Sequence, residues 1–318
     1  MRSKLRSNNV SWSRKLSLFS QTRILGLDLL AKDTASPAIL KSAWRAVRRA
    51  AGGPGVDSQT IDDFRADADK NLLQIKKQLQ SEYRFHRLRR VEMQKPGGGT
   101  RILGIPTVVD RIVLQAIRFQ LEPHFEPLMS NSSHAYRPRR SAHSALHQVK
   151  HALTAKQTVV IETDVRKFFD SIDHSVLLAQ LKVIIPEYAP SKLLRGALEM
   201  SDRSWLFRLL VSQHKGVAQG SPLSPLLANL FLRPFDRAVG QVNSSTLVRY
   251  ADDLVVLCRE QELATSLLAQ IKSELRKLKL ELHPDKTRIT DATANSFCLL
   301  YTSPSPRDRT RSRMPSSA

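Results

Sequence analysis

The chain has 318 residues, of which 41 % are hydrophobic, enough to bury a core and exclude a chain disordered throughout. Lys and Arg number 50 against 29 Asp and Glu, a formal charge of +21, which points to a polyanionic partner, nucleic acid ahead of a membrane surface. No apolar run approaches ~18 residues, no sustained apolar stretch follows the basic start (Arg2, Lys4, Arg6), and Cys258 and Cys298 build no disulfide framework; a spanning helix and a signal peptide are excluded, and a reducing cytoplasm fits.

Residues 1–35 are basic and weakly patterned. The spacing then predicts a helix from about Ser36 to Ala51, with Pro37 in its first turn and Gly52-Gly53-Pro54-Gly55 ending it. A polar, helix-rich stretch runs through Asp62-Asp63-Phe64 to Leu79. Two apolar runs, Leu88 to Met93 and Thr100 to Ile105, flank Lys95-Pro96-Gly97-Gly98-Gly99 and read as a β-hairpin with a flexible tip. Helical spacing covers Pro106 to about Met129, then Ser141 to Thr154. Thr158 to Ile161 is a short β-branched strand leading into Thr163-Asp164. Leu177 to Val183 is helical, and Pro222 to Val239 is a long apolar helix with Pro222 and Pro225 in its first turn. Thr246 to Arg249 and Leu254 to Cys258 are apolar strands, Gln261 to Leu280 an amphipathic helix, and Leu282 to Ile289 one more strand. Irregular alternation without a fixed repeat makes the fold class α+β.

From Cys298 the text loses all period and is dense in Pro, Ser and Arg. Residues 298–308 resemble one reading frame of a transposase-type sequencing adapter, and 312–318 the same frame of the flow-cell primer that follows it. On this reading 298–318 is a non-native tail and the natural gene is cut near Phe297. The tail holds four Arg and one Asp, and +18 remains without it.

The most informative segment is Tyr250-Ala251-Asp252-Asp253 between two apolar strands. Turn chemistry alone explains Asp in a hairpin. Adjacent carboxylates at the end of a sheet, however, call for a counter-charge, and Mg²⁺ held by one or two carboxylates and substrate phosphates supplies it. The partner is Asp164, at the end of another strand and followed by Phe168-Phe169-Asp170. Two such strand ends can clamp two metal ions, one activating a primer 3′-hydroxyl and the other holding the leaving pyrophosphate.

These residues, with Gln219-Gly220, stand in the order and spacing of reverse transcriptases, and the chain resembles the group II intron type. Further marks are Gly53-Pro54-Gly55-Val56-Asp57, Lys95-Pro96, Arg101-Ile102-Leu103-Gly104-Ile105-Pro106 and Leu121-Glu122-Pro123 with Phe125. Tyr136-Arg137-Pro138, Arg140-Ser141-Ala142-His143 and Ser224-Pro225-Leu226-Leu227-Ala228-Asn229 complete a resemblance running from about Gly52 to Phe297. It implies a right-hand polymerase of fingers and palm, with a small antiparallel palm sheet, surrounding helices and no thumb. Residues 1–35 are then a basic segment, 36–105 N-terminal helices and fingers hairpin, and 106–297 palm with interleaved fingers helices.

The resemblance implies Asp164, Asp252 and Asp253 as catalytic acids holding two Mg²⁺, with Mn²⁺ as a substitute. Phe169 falls at the steric gate that selects deoxynucleotides; ordinary palm core is its other reading. Lys95 and Arg101 flank the hairpin tip, where the family holds the incoming triphosphate, Arg with a bidentate fork. A solvated basic hairpin is the alternative. Gln219 and Tyr250 match the nucleotide pocket, although Ala218 stands where the family has Pro. Lys286 resembles a late-palm lysine that can protonate pyrophosphate; a surface lysine is the alternative. Arg87, Arg89, Arg90, Arg137, Arg139 and Arg140 form basic clusters suited to a template backbone. His143, His147 and His151 recur at helical spacing, but no Glu follows the first, and they read as solvated or RNA-facing.

The expected activity is RNA-directed DNA polymerisation in the cytoplasm, weak or absent in this fragment, with RNA template, DNA or RNA primer, dNTPs and intron RNA as partners and no membrane. An intron maturase that only binds RNA, or a CRISPR-associated, retron or phage-defence reverse transcriptase, are the alternatives.

Overall fold

A computed structural model describes residues 28–94, 100–189, 191–200 and 214–294. Most of the basic start, the hairpin tip with Lys95, and the 298–318 tail lie outside the described residues, as does the side chain of Arg101.

The N-terminal part is helical: α1 (Leu29–Thr34), α2 (Pro37–Ala50), α3 (Ile61–Ala66) and α4 (Ala68–Gln80). α1 occupies part of what the sequence presents as an unpatterned segment. Asp28 caps it, its carboxylate accepting from the Ala31 amide at 3.1 Å, and Leu30 and Ala31 are buried. α2 presents Leu40, Ala43, Trp44 and Val47 on one stripe to the core. The hairpin β1 (Arg89–Gln94) and β2 (Thr100–Ile105) follows, antiparallel with Arg89 opposite Ile105. α5 (Val108–Phe125), capped by Thr107, is buried around most of its circumference and forms the axis on which α1 and α2 pack.

The second part is built on a four-stranded antiparallel sheet, in the order β4 (Ser245–Tyr250), β5 (Asp253–Cys258), β3 (Val159–Asp164), β6 (Arg288–Asp291). α6 (Ala142–Thr154) covers one face, over Val160, Val248, Val255 and Leu257. α10 (Ser224–Gly240) and α11 (Gln261–Lys277) cover the other, over Ile161, Leu247, Leu254 and Val256. Connecting them are the single turn α7 (Phe168–Ser171), α8 (His174–Ile184) and α9 (Lys192–Glu199). This is an α+β fold with a small antiparallel sheet and surrounding helices, as the sequence indicates.

Boundaries differ where side chains decide them. α8 begins at His174 rather than Leu177 because Asp173 accepts from the Ser175 and Val176 amides, at 3.0 and 3.2 Å. α11 stops at Lys277, and Lys279 adopts φ 58 while the Leu280 amide returns to the Leu275 carbonyl. The expected strand from Leu282 to Ile289 is mostly not one. Pro284, which has no amide to donate, starts a 3₁₀ turn (Pro284–Lys286), and ladder pairing begins at Arg288. Among the described residues, no helix is long and apolar enough to cross a membrane.

Candidate active site

Asp164 is the last residue of β3 and Asp253 the first of β5, and the two are direct partners in the antiparallel register. Direct partners project to the same face, so the chain sets two carboxylates side by side at the open end of the sheet, where like charges repel. Asp252 stands in the two-residue turn joining β4 to β5, closed by the pair Tyr250 and Asp253. Burial, then the charges of Asp252 and Asp164, push the Asp253 carboxyl up to about 7, with Lys286 opposing. Asp164 Oδ1 is buried and has no hydrogen-bond partner.

Lys286 reaches this corner because its loop is stitched along the end of β3. The Arg166 amide donates to the Glu281 carbonyl at 2.9 Å, and the His283 amide to the Asp164 carbonyl at 2.8 Å. The Lys286 ammonium pairs with Asp164 Oδ2, and that bond raises its pKa above the ordinary lysine value. Beside it Thr287 bonds Thr163 through their hydroxyls at 2.8 Å, and Arg288 pairs with Glu162. Among the described residues no three His, Cys, Asp or Glu side chains already converge on one metal-sized point. An orphaned buried carboxylate oxygen and a carboxyl held near neutrality nevertheless fit a divalent cation that completes its shell with substrate phosphates.

The other sequence-singled residues divide. Phe169 is buried, 8 % exposed, its ring 5.4 Å from that of Phe168, and its carbonyl accepts the Val217 amide at 2.8 Å. Gln219 sits against the hairpin: its carbonyl accepts the Gly104 amide at 2.9 Å, joining its loop to the strand that carries Arg101. Gly220 (φ 120) permits this approach, since a Cβ there would lie 2.7 Å from the Gly104 carbonyl oxygen. Tyr250 packs in part against the small core under α6. Arg87, Arg90 and Arg139 are exposed. Arg89 is half-buried and donates to the Pro54 carbonyl at 2.8 Å, and Arg140 donates to Asn131 Oδ1 at 2.7 Å. Arg137 turns inward, pairing with Glu126 at 2.9 Å and donating to the Ser130 and Ser133 carbonyls. Its guanidinium braces the loop after α5 rather than facing a phosphate backbone. His143, His147 and His151 are exposed on α6.

Arg249 is the residue that sequence reasoning passed over. It lies in β4 with no exposed surface and bonds Asp236, Asn229, Ser133 and the Ala251 carbonyl. The signal was present: an arginine between Val248 and Tyr250 in an apolar strand needs a buried acid, and Asp236 stands in an equally apolar helix.

The antiparallel sheet gathers three aspartates and a lysine at one end, and the two-stranded hairpin is tied to the Gln219 loop. The family model of the reverse transcriptases (RNA-dependent DNA polymerases) matches residues 93–300, and the chain belongs to that family. Reverse transcriptase chemistry depends on divalent metal ions.

The chain is 32 % identical to the group II intron-encoded protein LtrA of Lactococcus lactis subsp. cremoris over 196 residues, 61 % of this chain and 32 % of LtrA. With Protein YkfC of Escherichia coli (strain K12) it shares 30 % identity over 322 aligned positions, 87 % of this chain and 83 % of YkfC. The chain spans about a third of LtrA's length. Solved structures similar to it include a partial Cas6-RT-Cas1–Cas2 complex, at 23 % identity and TM-score 0.41, covering 77 % of this chain and 42 % of that one. Telomerase from Candida albicans matches at 12 % identity and TM-score 0.47, covering 74 % and 46 %.

Proposed function

We propose that the chain adds deoxynucleotides to a primer 3′ end on an RNA template, with Asp164, Asp252 and Asp253 as the acids that hold two Mg²⁺. The observation that carries this is the facing pair Asp164 and Asp253, one with a buried unpartnered oxygen and the other with its carboxyl pushed up to about 7 by burial and by its acidic neighbours. Such a corner stores unbalanced negative charge and gains most from a cation. Bound there, Mg²⁺ would activate the primer hydroxyl and neutralise the leaving pyrophosphate. Lys286, already paired with Asp164, offers an ammonium from which the pyrophosphate can take a proton. Phe169 walls the sugar on the side of the 2′-hydroxyl, with Gln219 and Tyr250 lining the base side. Lys95 and Arg101 are the cations assigned to the triphosphate. Arg87, Arg90 and Arg139 are the exposed cations for the template backbone, with Arg89 and Arg140 steadying the loops around them. The relatives named for introns favour intron RNA as the natural template.

The test is primer extension on an RNA template by the full chain and by Asp252→Asn, with electrophoretic RNA binding measured on both. The variant keeps shape and basic contacts, so incorporation should fall to background while RNA binding holds. Incorporation by Asp252→Asn at the parent's rate, with both above background, would overturn the assignment.

A further inference from the structure

We infer that Arg249 is a positioning residue: through its bond to the Ala251 carbonyl it fixes the turn that presents Asp252 and Asp253. This rests on the reading of those aspartates as the metal-holding acids.

Arg249 is fully buried and spends all five of its N–H hydrogens. Nε and Nη2 grip the two oxygens of Asp236, each at 2.7 Å. The second Nη2 hydrogen goes to Ser133 Oγ at 2.7 Å, and Nη1 donates to Asn229 Oδ1 and to the Ala251 carbonyl, both at 2.9 Å. Asp236 has no exposed side-chain surface, and Asn229 is itself anchored to the Ala135 carbonyl at 2.8 Å. On the backbone, the Arg249 amide donates to the Ser132 carbonyl at 2.7 Å and the His134 amide to the Arg249 carbonyl at 2.9 Å. The guanidinium therefore has one geometry open to it, and the Ala251 bond is delivered from a rigid base on α10 and the 132–135 segment.

Ala251 is where the hairpin needs help. Its φ is 59, the left-handed region that suits glycine at this turn position and strains alanine. The turn also carries repelling carboxylates, which load it further. Packing alone would be served by an apolar pair on β4 and α10. The fork adds what an apolar pair lacks, a donor aimed at the carbonyl immediately before Asp252.

The double variant Arg249→Met with Asp236→Leu replaces the ion pair by apolar groups and should keep a cooperative melt near the wild-type temperature. Arg249→Lys keeps Asp236 paired, but its three donors cannot serve all four partners. In both, Mn²⁺ binding measured by electron paramagnetic resonance should weaken about tenfold, the usual scale for losing a group that orients metal ligands. In extension assays kcat should fall while KM for dNTP stays close to wild type. Wild-type Mn²⁺ affinity in either folded variant would overturn the proposal. Asp252→Asn separates the two layers: if it too binds Mn²⁺ normally, the metal assignment itself is wrong, whereas loss there with retention in the Arg249 variants sinks only the positioning role.

Discussion

Asp253→Asn separates the electrostatic cost of the site from its chemistry. The Asp253 carboxyl sits at about 7 in the fold, against 3.8 ordinarily, through burial and the charges of Asp252 and Asp164. A raised value means that the folded chain binds this proton more tightly than the unfolded one. The stability it contributes is therefore complete below about pH 4 and is lost as pH rises through about 7. A gap of roughly three pH units corresponds to about 4 kcal/mol, a ceiling that solvent screening lowers to about 2–4 kcal/mol. Asn keeps the shape and carries no charge. In denaturant titrations with EDTA, the variant's advantage over the parent should grow by that amount between about pH 4 and pH 8. Mg²⁺ should then stabilise the parent at the higher pH by mass action and stabilise the variant little. Parallel loss of stability in both proteins across this window would refute the charge crowding derived from the Asp164–Asp253 register.

Phe169→Ala should raise use of ribonucleotides relative to deoxynucleotides, read as the ratio of kcat/KM values, and an unchanged ratio would leave Phe169 a core residue. RNA binding should weaken steeply with salt, and replacing Arg87, Arg90 and Arg139 together by Ala should flatten the log–log slope by about 2; an unaltered slope places the template elsewhere. Phe64, fully buried with its ring 4.6 Å from Trp44, should cost about 3–5 kcal/mol in denaturant unfolding when replaced by Ala, and a loss below about 1 kcal/mol would contradict that packing.

Elements with strong local punctuation were legible in the sequence. The hairpin announced itself by its Pro-Gly tip, and α2 by its apolar stripe and Gly stop. α9 was not: Pro190 and Gly196 interrupt its pattern, and Leu193, Leu194 and Leu198 become one face only once the helix packs. β6 was misplaced because an apolar run says nothing of where a partner strand lies. Motif order singled out three acids, but the shared face of Asp164 and Asp253 follows from a register that only the fold supplies. Arg137 shows the limit most sharply. Arginines in one cluster look alike in text, and only the position of Glu126 distinguishes a brace from a phosphate contact.

The meeting of Gly104 and Gly220 has a consequence for how this pocket can change over time. Gly220 leaves room for the Gly104 carbonyl, and so cannot acquire a side chain while β2 stays put. A methyl at Gly220 would push β2 outward and carry Arg101 with it, while also shifting the loop that bears Gln219. Two walls encoded over a hundred residues apart thus drift as one inherited unit. If Phe169 walls the sugar as proposed, new nucleotide preferences are more accessible through that side chain than through this seam, where one substitution at Gly220 disturbs both segments at once.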